Sequence, residues 1–229
     1  MLMGGLMVAW ITSASPWRNL DHCTLTFHMV KHLFLMLVAA PMILYGLLSR
    51  EHGEMRGIWR SVIAHPAFCW WAASATVVVW HLPIVFQVAL HSPWLHSSEN
   101  ASFLVAGILF WSPVIHGGGG AEVGWFVPLY LFLATLPCDA LSAFLVFCGH
   151  VVYPGYEGMP QFHAFSALED QEFAGALMWV SVTFAYLVPA SIFVVRKLSP
   201  VSPSARNSSL QSAPQTLIAR CVVPEREAE

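Results

Sequence analysis

Five long apolar runs dominate this chain of 229 residues, and they restrict it to one kind of environment. They cover residues 25–48, 67–90, 101–116, 125–148 and 172–195. A helix needs roughly 20 apolar residues to cross a bilayer, because it rises about 1.5 Å per residue. Backbone polar groups in lipid must be paired within each segment. The runs therefore predict an all-α fold, a polytopic transmembrane helix bundle with five spans.

The two ends of the chain differ from this bundle. Residues 1–12 are apolar but too short for a comfortable crossing, so we expect a partial span or the end of a helix that starts upstream. Residues 199–229 are rich in Ser, Pro, Arg and Glu and poor in aromatics, which predicts disorder. We expect one helical domain at residues 1–198 and a disordered tail after it.

The basic residues predict how the bundle is oriented, because Lys and Arg concentrate on the cytoplasmic side of membrane proteins. Segments 49–66 and 196–229 contain eight of the ten, whereas 91–100 and 149–170 contain none. The C-terminus is therefore expected in the cytoplasm, with 91–100 and 149–170 as outer loops. Lys31 is an exception, and its long side chain is expected to extend to the membrane interface.

The start of the first span carries a pattern of polar and sulfur side chains. His28 and His32 lie four residues apart, on neighbouring turns of one helix face. Met36 continues that face a turn further in, and Met29 borders it. Imidazole and thioether together suit copper, and the thioether favours Cu(I). This face predicts a copper site in the outer half of the membrane.

Other segments bring similar groups to the same layer. His81, Asp139 and Met178 lie about 9–13 Å below the outer ends of their spans. Pro83 is expected to kink the helix beside His81 and to expose a backbone carbonyl there. A looser capture site is expected in the outer loops. The candidate metal ligands are His28, His32, His81, Met29, Met36, Met178, Asp139, His91, His96 and His150.

Five segments occur in order along most of the chain: HMVKHLFLMLVAAPMILYG, WHLPIVFQVAL, LFWSPVI, VYPGYEG and DQEFAGALMW. They resemble the membrane-integral CtaG family of cytochrome c oxidase assembly factors, in the branch named for caa-type oxidases. The resemblance implies a bacterial inner-membrane protein that supplies copper to the catalytic subunit of the oxidase or to an assembly intermediate. It also implies a non-enzymatic role, and it places Asp170, Gln171 and Gly175 among the motif residues.

Other interpretations of the same residues stay open. His32 and His81 are placed to bind a haem b between two helices. Asp139 and the histidines would suit a proton or ion transporter. Each histidine can also simply hydrogen-bond a neighbouring helix, and the protein can be an oxidase-binding scaffold without a metal. The sequence shows no hydrolytic or nucleotide-binding motif, and we expect no nucleic-acid partner. It leaves self-association open.

Overall fold

The computed structural model describes residues 1–13, 24–48, 65–117, 125–156 and 165–199, in which every regular element is a helix. The α-helices are α1 (Leu2–Ser13), α2 (Leu25–Leu33), α3 (Ala40–Leu48), α4 (Pro66–Trp80), α5 (Pro83–His91), α6 (Pro93–Gly117), α7 (Phe126–Phe147) and α8 (Ala167–Leu198). A π-helical segment, Phe34–Ala39, joins α2 to α3, and a short 3-10 helix, Pro154–Tyr156, precedes α8.

Four of these helices are long and apolar enough to cross a membrane: the continuous helix Leu25–Leu47, α6, α7 and α8. Helices α4 and α5 pass the same test as a bent pair and make a fifth span when counted together. Helix α1 is a shorter apolar helix. The predicted all-α transmembrane bundle with a short N-terminal segment is confirmed, and the chain is a multi-pass membrane protein.

The run predicted as one span at 67–90 is broken. The helix axis bends by 72° between α4 and α5. The bend occurs because Pro83 has no N–H to continue the α-helical ladder. The N–H of Leu82 instead donates to the carbonyl of Val79 at 3.2 Å, which tightens the last turn before the bend.

The third span starts earlier than predicted. The sequence suggested 101–116 after an outer loop at 91–100, but α6 begins at Pro93. A proline fits the first turn of a helix, where its missing N–H would have no intrahelical partner. The prediction that His96 belongs to a loop was therefore wrong. The last span also begins earlier than 172, at Ala167.

Helix α1 packs along the π segment and α3 through glycines. A Cβ at Gly5 would lie 2.7 Å from Cγ1 of Ile43 and 3.0 Å from the carbonyl oxygen of Ala39. A Cβ at Gly46 would meet the backbone of Leu2. Small residues let membrane helices approach closely and gain van der Waals contact. The short N-terminal helix is thereby part of the bundle.

Helix α6 also packs closely against the first long helix through a glycine. A Cβ at Gly107 would lie 2.7 Å from the Cβ of Ala40 and 3.1 Å from the carbonyl oxygen of Met36. The indole N–H of Trp111 donates to that carbonyl at 3.0 Å. These contacts set the height of α6 against the first long helix, and thus the height of every side chain on its outer turns.

Several predictions concern residues outside the described ranges. Arg50, Arg56 and Arg60, which carry much of the predicted orientation, lie there, as does the tail beyond Ser199. The cytoplasmic C-terminus and the disordered tail therefore stay predictions. The described helices up to Val194 form one unit.

Candidate metal centre

The N-terminal end of α2 is held by two caps, one local and one from α8. Thr24 is the N-cap, and its hydroxyl accepts a backbone N–H of the first turn. Asp170 accepts the N–H of Leu25 at 2.7 Å and the hydroxyl of Thr26 at 2.6 Å. The first N–H groups of a helix lack intrahelical partners, so a carboxylate placed there anchors the helix start. One turn further on, this anchored helix presents His28.

Three buried side chains, His28, His32 and Glu99, meet at this position, and we call them the triad. The four-residue spacing places the two imidazoles on adjacent turns, with their Nε2 atoms 2.9 Å apart. Glu99 comes from α6, two turns before Gly107, and its Oε1 lies 3.2 Å from both Nε2 atoms. Among the described residues, these form the one group of His, Cys, Asp or Glu side chains spaced to hold a metal.

The spacing of the three triad atoms fits a metal ion. A circle through atoms separated by 2.9, 3.2 and 3.2 Å has a radius of about 1.8 Å. An ion about 1 Å out of their plane would be about 2.1 Å from each, within the usual range of metal–nitrogen and metal–carboxylate bonds. Two imidazoles and a carboxylate suit borderline cations such as copper and zinc.

A second layer of buried polar side chains lies behind Glu99. The ammonium of Lys31 donates to Nε2 of His96 at 3.0 Å, so Nδ1 of that ring carries its hydrogen. This Nδ1 faces Oε2 of Glu99 at 3.5 Å. This contact is too long for a hydrogen bond, and it places a ring N–H close to the carboxylate of the triad. Lys31 is 2% exposed, and the prediction that it extends to the membrane interface was wrong.

The break between α4 and α5 fixes His81. Its Nδ1 donates to the carbonyl of Val77 at 2.7 Å, and its Nε2 lies 3.3 Å from Sδ of Met29. The bend exposes the carbonyl of His81, which accepts the hydroxyl of Tyr153 at 2.9 Å. The exposed carbonyl expected beside Pro83 is present, and Tyr153 is its partner.

His81 opens onto a small cavity among the helices, with a volume of about 30 Å³, and we call it the thioether cavity. Phe103 of α6 forms part of its wall and stacks on the ring of His32 at 4.1 Å between centroids. Five of the predicted ligands line the cavity together with one cysteine: Met29, His32, Met36, His81, Met178 and Cys138. The faces that carry these residues on three of the four helices meet there, and metal binding by them stays a prediction.

Three other predicted ligands lie elsewhere. His91 and His150 are exposed, and each Nδ1 donates to a backbone carbonyl of its own segment, at 2.7 and 2.9 Å. Asp139 is half-buried between α7 and α8, where the hydroxyl of Thr183 donates to it at 3.5 Å. None of the three belongs to the triad or lines the thioether cavity.

The motif that begins α8 holds the scaffold around the site. Ser166 and Glu169 exchange hydrogen bonds in a capping box, with the Ser166 N–H donating at 2.7 Å and the Glu169 N–H donating at 3.3 Å. Gln171 donates to two carbonyls near the end of α7, at 3.2 and 3.1 Å, and accepts a backbone N–H at 2.7 Å. A Cβ at Gly175 would lie 3.1 Å from side chains of α7, so this glycine permits close packing.

Glu99 is the site residue that sequence reasoning missed. The hydropathy pattern places it in an outer loop, where a carboxylate needs no explanation. Two signals pointed to a helix instead: Pro93, which suits a first helical turn, and the three-residue spacing of His96 and Glu99, which places both on one face. An acidic side chain on the inner face of an apolar helix is then a candidate ligand.

A family model described as cytochrome c oxidase caa3 assembly factor (Caa3_CtaG) matches residues 2–199. The chain belongs to the Caa3_CtaG family. The resemblance drawn from its five segments is thereby confirmed, and membership implies that it helps to build an oxidase rather than acting as an enzyme itself. No curated protein and no solved structure matches the chain.

Proposed function

We propose that this Caa3_CtaG protein binds copper at the triad and passes it to the catalytic subunit of a caa-type oxidase, or to an assembly intermediate. Copper is the cargo, and the protein is a binding and transfer factor. The observation that carries the proposal is the triangle of His28, His32 and Glu99 atoms, which converge within 3.2 Å from two helices. Buried groups so arranged match the bond lengths and donor types of a metal site.

The geometry also suits release of the cargo. Three protein ligands leave a coordination position open, through which an incoming ligand can begin an exchange. His28 lies three residues inside the start of its span, or about 4.5 Å from that end. The basic residues predict that this end faces outside, where the resemblance implies that the copper centre of the oxidase lies. Transfer at that depth would keep the ion out of bulk water.

The thioether cavity favours an ion over the haem alternative. Its volume is about 30 Å³, whereas pockets for organic ligands span roughly 300–1,000 Å³. His32 and His81 both line this space, and their rings are stacked on or edge-on to Phe103. A porphyrin between them would require the described helices to separate.

Metal stoichiometry tests the proposal directly. The purified protein in detergent would be loaded with Cu(II), washed and measured for bound copper, with electron paramagnetic resonance to count nitrogen ligands. We expect the double variant His28→Ala/His32→Ala and the single variant Glu99→Gln to lose the signal. A matched double variant at the two exposed histidines, His91→Ala/His150→Ala, should keep it. Unchanged binding in the first variant would remove the triad as the copper site.

Cells that lack this protein test its role in assembly. We expect their oxidase to carry normal haem but to lose catalytic copper, with rescue by the original gene and not by the Glu99→Gln variant. Normal haem and normal copper in the oxidase would contradict the proposed function. Loss of haem with copper retained would favour a haem-related role.

A further inference from the structure

The thioether cavity contains two atoms that face each other with no hydrogen between them. The carbonyl of Val77 can only accept a hydrogen bond, so Nδ1 of His81 carries the ring hydrogen. In the neutral imidazole, Nε2 then presents a lone pair to the sulfur of Met29, 3.3 Å away. A thioether has no hydrogen to donate. The two lone pairs form no hydrogen bond with each other, whereas a cation placed between them would bind to both atoms.

The separation of these atoms fits such a cation. Bonds of about 2.0 Å to nitrogen and about 2.3 Å to sulfur span 3.3 Å when they meet at an angle of about 100°. The cavity of about 30 Å³ has room for one ion, since a water molecule needs about 10–15 Å³ measured with a water-sized probe. Burial is nearly complete, with Met29 2% and His81 7% exposed.

The donors of the cavity differ in kind from those of the triad. Four sulfur-bearing side chains line it, those of Met29, Met36, Met178 and Cys138, and its described lining contains no carboxylate. Thioether and thiol sulfur are soft donors that select Cu(I), whereas carboxylates suit harder cations. In an apolar interior, a lining without carboxylates disfavours a divalent cation more than a monovalent one, because the cost of removing an ion from water rises with its charge.

We propose that the thioether cavity is a second copper site, selective for Cu(I), with His81 and Met29 as ligands and the sulfur of Met178 or Met36 completing the set. The inference rests on the proposed function only in taking copper as the cargo. His32 contributes Nε2 to the triad and also lines the cavity. The two sites therefore share a wall, and an ion that the triad releases as Cu(I) would reach the cavity without crossing water and without a change of oxidation state.

Two probe metals separate the sites. Co(II), whose visible absorption reports nitrogen and oxygen ligands, would monitor the triad, while Cu(I) with a chelating competitor would monitor the cavity. X-ray absorption of the Cu(I) protein would count sulfur neighbours. The variants are His81→Phe and Met29→Leu. The exchange of Met for Leu nearly conserves side-chain volume. The matched control is Met42→Leu, a half-buried methionine that packs against Gly4 and does not line the cavity.

We expect Met29→Leu and His81→Phe to weaken Cu(I) binding at least 10-fold, and Met29→Leu to remove one sulfur neighbour. The Co(II) spectrum should stay unchanged and show that the fold is intact. The Met42→Leu control should change neither the Cu(I) affinity nor the Co(II) spectrum. The inference is overturned if both cavity variants keep the original Cu(I) affinity, or if bound Cu(I) has only nitrogen and oxygen neighbours. Even then, loss of Co(II) binding in the His28→Ala/His32→Ala variant would still support metal binding at the triad. The experiment can therefore reject the cavity site without rejecting the triad site.

Discussion

The triad and the thioether cavity begin at consecutive residues of one helix and offer opposite chemistry. His28 faces Glu99 of α6, in a layer that also contains the buried Lys31. Met29 faces His81 at the broken span, among sulfur and apolar side chains. Consecutive residues on a helix point about 100° apart, so one turn of α2 contributes side chains to both the triad and the thioether cavity. A single helix thereby presents two donor sets of different softness.

The two regions are also held by different parts of the molecule. The triad depends on the height of α6, set near Gly107, and on the anchoring of α2 by Asp170. The position of His81 depends on the bend after α4 and on its bond to Tyr153. If this division is correct, substitutions in one set of supports should affect one metal site and spare the other.

The largest effect is expected for Glu99→Gln. It removes the charged ligand of the triad, and we expect Co(II) affinity to fall about 100-fold or more, the upper end of effects known for groups that only orient ligands. The measurement is a Co(II) titration in detergent at fixed pH. Cu(I) affinity should remain within about 3-fold, since Glu99 does not line the cavity. An equal fall for both metals would contradict the separation of the two sites.

A second expected effect follows from close packing at Gly107. In Gly107→Val, new atoms would clash with Ala40 and force α6 away from the π segment. Overpacking of this kind costs about 1–3 kcal/mol, so the unfolding temperature should fall together with Co(II) affinity. Val105→Ile, which enlarges an exposed residue of the same helix, is the control and should leave both unchanged. Normal Co(II) binding in Gly107→Val would show that the height of α6 does not control the triad.

Asp170→Ala tests the anchor of α2. The loss of bonds to Leu25 and Thr26 should cost about 1–2 kcal/mol, as for the removal of a helix cap. Thermal unfolding in detergent measures this, and Co(II) affinity should fall several-fold with it. The Asp170→Asn variant keeps one acceptor oxygen, so its unfolding temperature should lie between those of the Ala variant and the original protein. Equal stability of the Ala variant and the original would rule out an anchoring role.

The smallest effect is expected for Tyr153→Phe, which removes the hydroxyl that holds the carbonyl of His81. One such hydrogen bond contributes about 0.5–1.5 kcal/mol. We expect a small loss of stability and a modest loss of Cu(I) affinity, with Co(II) binding retained. Tyr130→Phe is the matched control, because Tyr130 donates to the carbonyl of Phe110. If both variants change Cu(I) affinity equally, Tyr153 has no special role in placing His81.

Much of the cavity could be predicted from the sequence, and much of the triad could not. Helical spacing placed Met29, His32 and Met36 on neighbouring faces, and depth counting brought His81 and Met178 to the same layer. Depth alone also selected Asp139, which lies at the α7–α8 interface instead. Counting residues from a helix end gives the height of a side chain, but the rotation of each helix about its axis decides which neighbours it contacts.

The outer histidines show the same limit. His91, His96 and His150 look alike in the sequence, yet only His96 is buried beside the triad. The difference arises because α6 begins at Pro93, which converts a predicted loop into two helical turns. The polar composition of those turns concealed the helix, since hydropathy reports lipid contact better than helical structure inside a bundle.

The sequence by itself determined the class of this protein, its all-α membrane architecture and the membrane family to which it belongs. These follow from local properties: apolar length, helical periodicity and short motifs. Only the tertiary structure decided that Glu99 joins the histidines and that the proposed copper ligands divide into two sets. Those outcomes depend on contacts between distant residues, such as the bond from Leu25 to Asp170, 145 positions apart. Such contacts set helix heights and rotations, which no local pattern encodes.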